Sequence, residues 1–215
     1  MTNKQPKPPV SSPSAEPLKA VHVSSYEITA EPIRDREYRR LPAHVKEALE
    51  RLHRESEIRP RNAIPELQAL IERYPQVPQF YNYLTIAYSG IGALDKAEAV
   101  TRANIRANPD YLFARLNYAE LCLMKKDYAK IPEIFDHKFD LKLLYPKRNR
   151  FHITEVANFM GLIGLYFLAI GERGLAEKYN AALQEAAPDF PMAQKLRRAL
   201  TPGLFARLWK RLTGS

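Results

Sequence analysis

The sequence predicts an all-α fold: a right-handed α-solenoid of about four stacked helix–turn–helix repeats, closed by a C-terminal capping helix. Two observations predict it. A helix-period segment recurs with a constant internal interval, from Ala63 to Pro75, from Ala97 to Pro109 and from Ala176 to Pro188. The first two copies are offset by 34 residues. Second, the matching first halves end at Gly92 and Gly171, although the chain has only 8 glycines against 17 prolines. A constant period of this size marks a repeat array, in which each hairpin buries its apolar face only by stacking on its neighbours.

Along the chain, residues 1–40 read as a disordered Pro/Ser/Lys-rich tail running into an extended segment. Pro6, Pro8, Pro9, Pro13 and Pro17 stand among Ser11, Ser12 and Ser14, with few large apolar residues to offset the ordering entropy. Residues 41–200 form the repeat domain, and its first repeat spans about 44–77. There Val45, Ala48, Leu49 and Leu52 set a helical stripe over His44–Ile58, without the small residues that mark the later copies. In the second repeat, 78–111, Tyr81, Leu84 and Tyr88 precede Gly92 at helical spacing. The third, 112–156, keeps Tyr118, Ala119, Cys122, Asp127 and Tyr128 but has no closing proline in register, and eleven extra residues precede the fourth. An irregular second helix is therefore expected, then a loop around Tyr145–Arg150, where Pro146 and the charges favour a break. The fourth repeat, 157–190, carries Ile163, Gly164, Phe167 and Gly171 in the same frame. Met192, Leu196 and Leu200 lie on one stripe of the following segment and Gln194, Lys195, Arg197 and Arg198 on the other, so 191–200 suits a cap with one wet face. Thr201–Pro202 then reads as a helix start. Residues 201–215 form a basic amphipathic helix with Leu204, Phe205, Leu208, Trp209 and Leu212 on one face.

This pattern of an aromatic, a leucine beside a small residue, a tyrosine, a turn glycine, alanines and a closing proline resembles the tetratricopeptide (TPR) repeat. The small residue of the first helix lets the second approach, the alanine of the second helix faces it, and proline ends the helix for want of an N–H. The match covers 78–145 and 157–190 and, in part, 44–77. Thr85 stands where the family prefers glycine or alanine, and Ile131 where it prefers alanine.

No constellation of catalytic residues emerges, and no enzyme activity, cofactor or metal is expected. His22, His44, His53, His137 and His152 include no pair at metal-binding spacing on one helix. Gly90–Ile91–Gly92 lacks the third glycine and the preceding strand of a dinucleotide loop. Cys122, the only cysteine, falls at a buried first-helix position, which favours a packed thiol over a nucleophile.

The resemblance implies a protein-binding scaffold whose concave face is lined by the first helix of each repeat. In this frame the partner-binding residues are Asn82, Tyr83, Ile86, Phe113, Leu116, Asn117, Glu120, Leu123, Met124, Asn158, Leu162 and Leu165, flanked by Gln79 and Leu168. Some family members clamp a C-terminal carboxylate there. Only Asn117 matches that pattern, since Ala48, Phe113 and Leu162 occupy the places of the basic residues, so no carboxylate clamp is expected. An apolar face of this kind suits a helical or extended segment of another protein, or it is covered by the chain's own residues 21–38 or 201–212. The alternative function is a peripheral membrane or anionic-polymer tether through Arg207, Trp209, Lys210 and Arg211. No acidic residue follows Asp189, although the net charge of +9 fits an ordinary solvated surface as well, and nucleic acid is not the expected partner. No apolar run resembling a secretory signal follows Met1, and Val156–Gly171 is short for a membrane span, so the expected location is the cytoplasm or, as a peripheral protein, a membrane surface.

Overall fold

The computed structural model describes residues 26–31 and 36–201. The expected disordered tail before Tyr26 and the expected amphipathic helix beyond Thr201 lie outside the described residues. A short strand, β1 (Glu27–Thr29), and a five-residue helix, α1 (Arg36–Arg40), precede the repeats.

The repeats are helix hairpins, as the period predicts. In the first, α2 (Ala43–Ile58) and α3 (Pro60–Arg73) are joined by Arg59 alone, with Pro60 at the first helical position, where a missing N–H costs nothing. Val45, Leu49, Leu52 and Ser56 form the buried stripe of α2. In the second, α4 (Pro78–Gly90) and α5 (Leu94–Ala107) meet at Gly92, whose φ of +74° suits glycine. Ala97 is fully buried, and Thr85, at the place of the pattern's small residue, is buried with its hydroxyl donating to the Tyr81 carbonyl at 2.8 Å.

The third hairpin departs from the rule, as expected from its missing proline. Its first helix, α6 (Leu112–Lys125), is regular, but the second shrinks to α7 (Lys130–Ile134). Asp136 and His137 follow with φ of 52° and 57°, which no helix continues. The chain then makes one turn of helix, α8 (Leu141–Leu144), whose first amides are capped by the Asp140 carboxylate at 2.8 and 3.0 Å. After Pro146 it forms a second strand, β2 (Arg150–His152), where the sequence suggested only a loop. Phe135, Leu141, Tyr145 and Phe151 fill the core beside the shortened helix. β2 pairs in parallel with β1, Ile28 opposite Phe151, and tethers the N-terminal segment to this insertion.

The fourth hairpin, α9 (Ile153–Ala169) and α10 (Arg173–Ala186), turns at Gly171 with φ of +89°. The cap, α11 (Pro191–Leu200), buries Ala193, Leu196 and Leu200 and turns Lys195, Arg197 and Arg198 to solvent. It sits unusually close to α9. A Cβ at Gly161 would overlap Met192, and one at Gly164 would overlap Leu196 while lying 3.3 Å from the Tyr179 Cβ. The buried side chains fall into two clusters, and α6 serves both, through Leu121 to the N-terminal one and through Leu112 and Leu116 to the other. Among the described residues no helix is long and apolar enough to cross a membrane.

Candidate functional site

Residues three and four apart share one face of a helix, so the first helices α4, α6 and α9 each carry a stripe: Asn82–Ile86, Asn117–Glu120–Met124 and Asn158–Leu162–Leu165. Two lateral contacts join neighbouring first helices, and a third joins the cap to α6. The His53 ring of α2 stacks on Tyr83 of α4 with centroids 4.9 Å apart and planes at 19°. The Asn117 amide donates to the Asn82 side-chain oxygen, linking α6 to α4. Lys195 of α11 pairs with Glu120 of α6 at 3.0 Å, with α9 packed between their helices. Burial raises the Tyr83 hydroxyl pKa, and the nearby Tyr38 and Glu50 add to the effect. Asn158 instead bonds within its own helix, to the Thr154 carbonyl at 2.7 Å.

The expected binding residues therefore divide. Asn82, Tyr83, Asn117 and Glu120 form the lateral contacts, while Ile86, Phe113, Leu123 and Leu165 are half-buried. Met124 is 60% exposed. Leu116 and Leu162 do not lie on an open surface: they are 4% and 2% exposed and belong to the core. Neither is available to a ligand without repacking. Arg207, Trp209, Lys210 and Arg211 lie outside the described residues, as does any cover from 202–212. Of residues 21–38, the described part at 26–31 packs on the insertion: Tyr26 is edge-on to Phe151 at 5.0 Å, and Arg150 binds Thr29 and Glu31 at 3.0 Å. Tyr38 lies at the first-repeat end, under the Lys46 ammonium at 5.8 Å.

Two polar clusters went unremarked in the sequence. At the α4–α5 turn, Lys125 binds Asp95 at 2.9 Å and Glu98 at 2.8 Å, which lowers the Glu98 pKa and raises that of Lys125. Cys122, beside this cluster, is a packed thiol; burial first, then Asp127, pushes its pKa up to about 11. At the start of α9, Arg148 makes a two-pronged bond to Glu155 at 3.0 and 2.7 Å and stacks on Phe151 at 4.2 Å. Glu155 also accepts the His152 amide, and the His152 ring nitrogen Nδ1 accepts from the Thr154 amide, which together make a capping box. The remaining ring nitrogen, Nε2, then carries the proton and donates to the Ala30 carbonyl at 3.0 Å.

Between this helix start and the beginnings of α4 and α6 lies an open cleft of about 690 Å³, lined among others by Pro78, Gln79, Asp110, Phe113, Arg148 and His152. The frame named Gln79 and Phe113. Arg148 and His152 lie in the insertion, where the period gives no register. Among the described residues no group of three or more His, Cys, Asp or Glu could hold a metal ion.

No family model and no curated protein matches the chain. Among solved structures, it is similar to the crystal structure of a thermophilic TPR protein of Thermus thermophilus, at 20% sequence identity and a TM-score of 0.49. The similarity covers 64% of this chain and 71% of that one.

Proposed function

We propose that the protein is a non-enzymatic scaffold that binds an apolar helical or extended segment of another protein across its first-helix face. The observation that carries this reading is the set of lateral contacts His53–Tyr83, Asn82–Asn117 and Glu120–Lys195. They run from α2 through α4 and α6 to the cap along one side of the hairpins. Beside the polar contacts, exposed Met124 and half-buried Ile86, Leu123 and Leu165 offer apolar anchors. A preorganised surface of this kind loses little entropy on binding.

The test is a pair of surface substitutions, Ile86→Glu and Met124→Glu, in the full chain expressed in its own cells. Co-purifying partners are lost while the far-ultraviolet circular dichroism is unchanged. Retention of the same partners by the doubly substituted chain rules the surface out. Leu116 and Leu162 are unsuitable for this test, because a charge at either site would disrupt the core.

The peripheral tether is the second reading. It draws on the exposed Arg197 and Arg198 of α11, which precede Arg207, Lys210 and Arg211 with no intervening acid. Cosedimentation with anionic vesicles at low and high salt tests it, because attraction to a charged surface fades as the ionic strength rises.

A further inference from the structure

We propose that the cleft beside the α9 start is the docking site of this chain's own proline-rich N-terminal segment, residues Lys4–Pro13. Wall chemistry, the place of entry, reach and charge point there. The cleft is walled by Pro78, Pro109, Tyr111 and Phe113, with the two aromatic rings 5.7 Å apart. Flat apolar walls of this kind receive the ridges of a polyproline II helix, which is preformed and costs little entropy to order. Pro6, Pro8, Pro9 and Pro13 favour that conformation.

The chain also enters at the right place. The Glu27 amide bonds the Asn149 carbonyl at 2.8 Å, and β1 runs parallel to β2, so Tyr26 stands at the end of the strand pair that adjoins Asn149, the neighbour in sequence of Arg148 in the cleft wall. The Phe151 ring touches both Tyr26, at the point of entry, and Arg148, in the cleft wall. Twenty-five residues precede Tyr26, and the twelve between Pro13 and Tyr26 span up to roughly 37 Å at the polyproline rise.

Charge is complementary as well. Glu155 is neutralised by Arg148, but Asp110 is exposed at the cleft and forms no ion pair among the described residues. Lys4 and Lys7 supply its counter-charge. The Gln79 amide, also in the wall, can donate to the carbonyls that a polyproline helix leaves unbonded.

The experiment uses the full chain with Cys122→Ser and Ser11→Cys, carrying a nitroxide spin label at position 11 and observed through the amide signals of the folded part. The expected result is broadening centred on Asp110, Tyr111, Phe113 and His152, unchanged on dilution. Lys4→Glu with Lys7→Glu, which cannot disturb the repeats, reduces that broadening about threefold, as loss of an exposed charge attraction would. Asp110→Lys has the same effect. Broadening spread evenly over the surface, or centred on Met124 and Ile86, overturns the proposal. So does broadening that appears when labelled chains are mixed with unlabelled ones, because the occupant would then be a second copy.

Discussion

Lys195 and Glu120, 75 residues apart in sequence, meet at 3.0 Å across α9. The contact joins the cap to the third repeat. Both side chains are about half exposed, at 54% and 44%, so the pair contributes little to stability. A double-mutant cycle of Lys195→Ala and Glu120→Ala should give a coupling of about 0.2–1 kcal/mol that shrinks in high salt.

Close packing of the cap makes a sharper prediction. Alanine normally stabilises a helix by about 1 kcal/mol over glycine. At Gly161 the added methyl would overlap Met192, whose Cβ and carbonyl also lie within 3.3 Å, so α11 itself must move. Gly161→Ala should therefore destabilise the protein, by about 1–3 kcal/mol in urea unfolding. Met192→Ala added to it should recover part of the loss.

Much of this fold was legible in the sequence because its signal is local and periodic. Leu84, Tyr88 and Ala97 advertise a hairpin, and Gly92 its turn. The period also names which residues share a stripe. It does not say what closes over a stripe, and so Leu116 and Leu162, expected on the open face, proved buried. The partners of Glu120 and His53 sit on other helices at distances no local pattern encodes. Three-residue strands such as Glu27–Thr29 and Arg150–His152 are shorter than any alternation that could reveal them. The insertion lost its register with its closing proline, and with it the positions of Arg148 and His152.

Cys122 supplies a pH dependence whose sign is determined. Its pKa is raised in the folded state from 9.0 to about 11, so the thiol form is favoured by folding. The associated stability is complete below pH 9 and declines as the pH rises toward 11. Urea unfolding at about pH 8 and about pH 10.5 should show a larger loss for the natural chain than for Cys122→Ala, in which this group is absent while the tyrosines still titrate. Thiol reagents near neutral pH should react only on unfolding, because the side chain is 2% exposed and protonated.

The start of α9 depends on Glu155, which serves Arg148 and the His152 amide together. Glu155→Ala should cost about 2 kcal/mol, through a half-buried guanidinium left unpaired and a lost helix cap. Hydrogen exchange should rise at the first turn of α9, while α2 and α3 remain protected.

The central claim is that partners lie across the first helices. A photo-reactive amino acid at Met124, with a control at exposed Ala181 on α10, tests it most directly in living cells. The account predicts a protein crosslink from position 124 that is absent from 181 and is removed by Ile86→Glu. Crosslinks from 181 alone, or from 124 unaffected by Ile86→Glu, would contradict it.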